Sequence, residues 1–347
     1  MTLFSSRPQF RKWLWFPTVL FLTTAAAAQD LRFASVGDVK LQSGEVLRDC
    51  RIGYRTWGQL NADQSNVVLW PMWASGTTDQ LVGSVGPGKL LDSSKYYVIA
   101  IDPLTNGVSS SPSNSAFQPR MEFPKITIRD MVDTEYRALT QVLHLHHLKA
   151  VLGVSMGGMQ TFQWMVSYPD FLDKAIPIVG SPRLAPYDLL LWKMQIDVIT
   201  RDPGWKNGDY TEQPAKVIEN EISALVLTTP QHYNQVTKRE EVVSSLDAAE
   251  RRPAFDANNH IRQAQAMMSL DVSDAYGGSL ERAAAAVKTK VFVVVSKFDH
   301  TVTPGPALEF AKLLHAPVLE LEGDCGHLAS SCESATIDPA VKEFLEK

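Results

Sequence analysis

Val151-Leu-Gly-Val-Ser155-Met-Gly-Gly158 is the stretch on which the fold turns. An apolar, strand-like run over 150–154 breaks into Gly-x-Ser-x-Gly, and a helical pattern follows over 158–167 until Tyr168-Pro169 stops it. A strand that turns this sharply into a helix brings its flanks together. Gly153 and Gly157 must therefore lack side chains, and the turn leaves the Ser155 hydroxyl exposed at the helix N-terminus. The pattern is that of a nucleophile elbow, and it makes Ser155 the candidate nucleophile. The competing reading is a glycine-rich turn that happens to hold a serine; the strand before it and the helix after it argue against that.

On the N-terminal side, strand-like runs alternate with turn clusters: 66–70, ending in Pro71-Met-Trp-Ala-Ser-Gly76, and 96–101, ending in Asp102-Pro103. A long helix is expected over 128–145, and a strand over 174–179. From 182 to 286 the rhythm changes to helix-like stretches with prolines and no strand series. Strands resume at 291–295 and 318–321. This order predicts an α/β architecture: a mostly parallel sheet flanked by helices, with a helical lid inserted before the late strands. The expected organisation is a leader at 1–28, core at 29–181, lid at 182–286 and core again at 287–347.

A serine nucleophile needs a base, and the base needs an orienting carboxylate. In this architecture the acid lies beyond a late strand and the histidine beyond the last. Asp299 follows strand 291–295 and His327 follows strand 318–321. Asp324 shares a short loop with His327 and would struggle to reach behind its ring. His300, next to Asp299, points the other way if Asp299 points inward. His144, His146 and His147 end a helix, where cations suit the dipole. With no carboxylate cluster beside them, no metal site is expected, and no cofactor motif is legible. One oxyanion donor should be the backbone N–H of Met156. The second should come from the loop after 66–70, with Ala74 preferred and Trp73 in reserve. Trp73 and His260 are the candidate substrate contacts, a structural role for His260 being the rival reading; Trp192 and Trp205 are further pocket candidates.

Arg7, Arg11 and Lys12 precede an apolar stretch from Trp13 to Leu22, and Ala25-Ala26-Ala27-Ala28 offers small residues for cleavage. This reads as a secretory signal cut near Ala28, hence a periplasmic or secreted enzyme. The stretch is short for a bilayer span and holds Pro17; an uncleaved anchor is the alternative. Taking those three cations from the 33 Lys and Arg leaves 30 against 38 Asp and Glu, a formal charge of −8. The charges are scattered, which argues against nucleic acid and anionic membranes as partners. In an exported chain Cys325 and Cys332 can pair and leave Cys50 free; three unpaired thiols is the other reading.

The chain resembles the homoserine O-acetyltransferase family of the α/β-hydrolase superfamily over nearly its whole mature length. The resemblance rests on Tyr54-Arg-Thr-Trp-Gly-Gln-Leu-Asn61, Phe123-Pro-Lys-Ile-Thr-Ile-Arg-Asp-Met-Val132, Gly153-Val-Ser-Met-Gly-Gly-Met-Gln160, Arg201-Asp-Pro-Gly-Trp-Lys-Asn-Gly-Asp-Tyr210 and Asp256-Ala-Asn258. It implies an acyl-enzyme mechanism, with Ser155, Asp299 and His327 on the family's triad, and it suggests a homodimer through the lid helices, the alternative being that those helices merely cover the site. The chain departs from the family where acceptor and donor should bind. Pro71-Met-Trp-Ala-Ser-Gly76 stands for a Cys-His-Ala-Leu-Thr-Gly-like loop, Asp102 to Pro112 for a Gly-rich loop, and Asn258-Asn259-His260 for Asn-Ser-Tyr. Acetyl-CoA and homoserine are cytoplasmic, whereas an exported enzyme always has water. The expectation is therefore an exported serine acyl hydrolase of esterase type, acting on a small-molecule acyl substrate. An O-acyltransferase, and a catalytically silent binding protein of the same fold, are the alternatives.

Overall fold

All five residues of the strand Val67–Pro71 are buried, as a strand covered on both faces requires. Its side chains alternate between two cores: Val67 and Leu69 belong to one, Val68 and Trp70 to the other. That strand lies in a nine-stranded sheet. In this computed structural model, which describes residues 30–251 and 254–347, the strands are β1 (Arg32–Lys40), β2 (Val46–Trp57), β3 (Val67–Pro71), β4 (Tyr97–Ile101), β5 (Leu148–Val154), β6 (Leu172–Ile178), β7 (Lys290–Val291), β8 (Val293–Ser296) and β9 (Val318–Leu321). They run β1-β2-β4-β3-β5-β6-β8-β9, with β7 also paired to β6. The β1–β2 and β2–β4 pairs are antiparallel, and every later pair is parallel. This is the α/β-hydrolase fold that the sequence predicts. The expected strand at 291–295 is split into β7 and β8 at Phe292, whose N–H still bonds the Ala175 carbonyl of β6. The proposed leader lies outside the described residues.

Helices cover both faces. Helix α1 (Ile128–Arg137) opens on a capping box: the Thr127 hydroxyl accepts from the Asp130 N–H, and the Asp130 carboxylate accepts from the Thr127 N–H. The helix expected to reach Leu145 stops being regular at Arg137 and continues as one wider, π-type turn over Ala138–Val142. Helix α2 (Met156–Ser167) follows the elbow; Phe162 and Trp164 on it are fully buried in the first core. Between β6 and β7 the chain forms α3 (Pro186–Arg201), α4 (Lys216–Val226), α5 (Pro230–Val236), α6 (Val242–Glu250), α7 (Ala257–Met268) and α8 (Leu280–Ala286). Ile199, Ala257 and Ile261 pack α3 against α7 in a small core of their own. After β8 come α9 (Gly305–Leu313), then α10 (Ala329–Cys332) and α11 (Ser334–Glu346), whose Ile337, Val341 and Leu345 close the second core. No described helix is long and apolar enough to cross a membrane.

Candidate active site

Ser155 sits between β5 and α2 at φ 57°, ψ −120°, a conformation that L residues rarely occupy. The sharpness of the turn explains its flanks. A Cβ on Gly153 would lie 2.2 Å from the Gly157 carbonyl oxygen, and one on Gly157 would lie 2.3 Å from the Pro71 carbonyl oxygen. The strained residue is held by its N–H, which donates to the Ile178 carbonyl of β6 at 2.9 Å.

The three residues singled out from the sequence come together. His327 Nε2 is 2.8 Å from Ser155 Oγ, and His327 Nδ1 is 2.7 Å from Asp299 Oδ2. Asp299 Oδ1 accepts from the N–H groups of Thr301 and Val302 at 2.8 and 2.9 Å. A carboxylate that accepts three hydrogen bonds has a fixed orientation, so it can hold the imidazole with Nε2 toward the serine. All three are buried, Asp299 most deeply. Asp324, the rival acid, faces the other way and meets His232 Nδ1 at 3.1 Å. His147 pairs with Asp173 at 2.9 Å.

Among the described residues, the N–H groups of Met156 and Ala74 have no acceptor within the protein, and neither has that of Trp73. Two side chains that the sequence reading passed over hold the loop that carries Ala74. Gln263 Oε1 accepts from the Ser75 N–H at 2.8 Å, and Gln160 Nε2 donates to the Met72 carbonyl at 3.1 Å. Nothing in the spacing of either glutamine points to this, because both reach the loop from helices distant in sequence.

Ser155 and His327 open into a cavity of about 820 Å³ whose walls include Trp73, Ala74, Trp192 and His260. Trp73, Trp192 and His260 thus lie where the sequence reading put them. Trp205 does not: its indole N–H donates to Asn258 Oδ1 at 3.0 Å, and its ring packs on the small α3–α7 core. His260 Nε2 is 2.8 Å from Gln195 Oε1 and its Nδ1 is 4.0 Å from Glu219 Oε1; burial pushes the imidazole down to about 4. Close by, burial pushes the Glu219 carboxyl up to about 7. His260 and the Gln195 amide line that side of the cavity.

Cys325 and Cys332 form a disulfide around His327, with Cα atoms 6.4 Å apart. Cys50 is free and buried, its thiol pushed up to about 12 by burial.

Residues 85–331 match the sequence profile of the alpha/beta hydrolase fold. A probable esterase of Corynebacterium glutamicum is 32% identical over 341 residues, covering 93% of this chain and 98% of its own. A homoserine O-acetyltransferase of Trichormus variabilis is 31% identical over 328 residues, covering 88% and 90%. The crystal structure of an acetylester hydrolase from Corynebacterium glutamicum superposes with a TM-score of 0.86 at 30% identity, over 92% of this chain and 96% of that one.

Proposed function

The chain belongs to the homoserine O-acetyltransferase-like family of the α/β-hydrolase fold and is an enzyme of hydrolase or acyltransferase type, and from that premise we propose that it is an exported ester hydrolase acting through Ser155, His327 and Asp299. The observation that carries the reading is the hydrogen-bonded series from Ser155 Oγ through His327 to Asp299, with Ser155 and His327 in the wall of the cavity.

Ser155 Oγ attacks the ester carbonyl while His327 Nε2 takes its proton. The imidazolium then gives that proton to the alcohol that leaves, and an acyl-serine remains. Water attacks the acyl carbon with His327 again as base, which releases the acid and restores the serine. Charge on the carbonyl oxygen is met by the N–H groups of Met156 and Ala74. Small acyl groups, acetyl above all, fit the kinship with an acetylester hydrolase. Two features of the sequence support hydrolysis over transfer: Pro71-Met-Trp-Ala-Ser-Gly76 departs from the transferase loop, and an exported enzyme, as residues 1–28 are read here, would work away from acyl-CoA.

The test is product analysis with an aryl acetate, with and without homoserine. Acetate alone in both reactions supports hydrolysis; O-acetylhomoserine formed in competition with acetate overturns it in favour of the transferase. Export is tested by expressing the full chain with its leader: a mature N-terminus at Gln29 outside the cytoplasm is expected, and an intact N-terminus in the cytosol refutes it. For assembly the reading is a homodimer through the lid. Tyr187, Leu190 and Met194 fall on one side of α3 and are 53%, 66% and 42% exposed. Light scattering should give twice the monomer mass for the wild type and the monomer mass for Leu190→Glu; a wild-type monomer refutes the dimer.

A further inference from the structure

Asp299 and His327 lie on two separate turns, after β8 and after β9, and neither is part of a strand or an α-helix. Their 2.7 Å contact therefore depends on how those turns are held relative to each other. One short segment of the inserted helices, residues 226–229 from the last residue of α4 to the N-cap of α5, touches both.

On the Asp299 side, the Thr301 hydroxyl donates to the Val226 carbonyl at 2.9 Å, while the Thr301 N–H donates to Asp299 itself. On the His327 side, the N–H of Leu328, the next residue, is shared between the Leu227 carbonyl and the Cys325 carbonyl of its own turn, each at 3.2 Å. The Thr229 hydroxyl donates to the Asp324 carbonyl at 2.6 Å, and the Thr229 N–H approaches the same oxygen at 3.4 Å. Between these contacts the segment lies directly on Gly326: a Cβ there would be 3.1 Å from Thr228 Cα and from Thr229 N, and the residue has φ +60°. Thr229 and Thr301 are 3% and 4% exposed, so these hydroxyls bond without competition from water. The disulfide ties the far end of the His327 turn to α10.

We propose that residues 226–229 are a clamp by which the helical insertion holds the Asp299 and His327 turns in register, with Thr229 and Thr301 as its positioning residues. The inference rests on the reading of Ser155, His327 and Asp299 as the catalytic series. The clamp touches no reacting atom; it acts by keeping the imidazole against its carboxylate and aimed at Ser155. A displacement of about 1 Å at such a site can cost roughly a hundredfold in rate.

The experiment compares wild type, Thr229→Val, Thr229→Ser, Thr301→Val and the double valine variant on an aryl acetate, over a range of pH. Each single valine variant should lose roughly 10- to 100-fold in kcat with little change in KM. The acid limb of kcat/KM should move to lower pH, because an imidazolium less well seated on Asp299 is less stabilised. Thr229→Ser keeps the hydroxyl, both as donor to Asp324 and as cap of α5, where it accepts from the His232 N–H, and should restore both readouts. The double variant should lose less than the product of the single losses, since one register serves both contacts. Melting curves report the folded fraction, and Thr301→Val leaves the α5 cap intact should Thr229→Val fold poorly. Wild-type kcat and pH profile in both single variants, or a loss matching only the unfolded fraction, overturns the clamp. Failure of the underlying reading is a different result: Ser155→Ala would keep turnover and a fluorophosphonate would not label Ser155 in the wild type.

Discussion

Gly157 and Pro71 approach so closely that a methyl group on the glycine would stand 2.3 Å from the proline carbonyl oxygen. The contact joins the first turn of α2 to the end of β3, the two places from which the proposed oxyanion donors come. Gly157→Ala must push those backbones apart, and neither can yield as a flexible side chain would. The expected result is a loss of about 1–3 kcal/mol in unfolding free energy, the range of overpacked cores. The folded fraction should also lose far more in kcat than Tm alone explains. Denaturant melts combined with active-site titration separate the two, and an alanine variant with wild-type turnover would show that the gap is not needed.

Asp299→Asn should keep the fold and remove the chemistry. The carboxylate accepts from His327 and from two backbone N–H groups. An asparagine can keep its oxygen on those backbone groups, but its amide nitrogen then faces His327 Nδ1 as a donor. The imidazole would be driven to the tautomer with its proton on Nε2, which cannot accept from Ser155. A fall in kcat on the order of 10⁴ is expected, with Tm nearly unchanged. A loss under tenfold would remove Asp299 from its assigned role.

The strands around the site were legible because each buries an apolar run between turn signals. β3, β4, β5, β6 and β9 fall within two residues of where the pattern places them. Ser155, Asp299 and His327 were legible because this topology puts each at the carboxyl end of a strand. Other features depend on contacts that the sequence does not index. Gln263 reaches Ser75 across 188 residues, and Thr229 reaches Asp324 across 95. Trp205 looks like a pocket wall by residue type, yet its N–H finds Asn258 and its ring fills the small core between α3 and α7. The end of α1 was misplaced because the apolar spacing continues through Leu139 and Val142 while the backbone widens at Ala138.

The disulfide carries a prediction about order rather than chemistry. Cys325 and Cys332 close a short loop around His327, and closing a loop of this size is worth about 2–3 kcal/mol on the chain-entropy argument. Thiol titration of the denatured, unreduced protein should count one sulfhydryl, that of Cys50. Reduction, or Cys332→Ser, should lower Tm and increase the thermal inactivation rate while leaving kcat of the folded enzyme within a few-fold. Three sulfhydryls in the unreduced protein would refute the pairing.

Glu135 gives the fold a dependence on pH that is separate from the site. Its side chain is buried between α1 and α2, where Oε2 accepts from the Trp164 indole N–H at 2.7 Å and Oε1 has no partner. Burial pushes the carboxyl up to about 8 from an ordinary value of 4.5. A carboxyl raised on folding binds its proton more tightly in the native state than in the unfolded chain. Its favourable contribution is therefore complete below pH 4.5, falls as pH rises, and is gone above about 8. Glu135→Gln keeps an acceptor for Trp164 and has nothing to ionise. The variant and wild type should have similar stability near pH 4.5, and the variant should be the more stable by a few kcal/mol at pH 8. Urea melts at three pH values across that window measure the difference. A difference between the two proteins that does not change with pH would mean that Glu135 has the same proton affinity folded and unfolded, and that the indole N–H and local water offset the cost of burial.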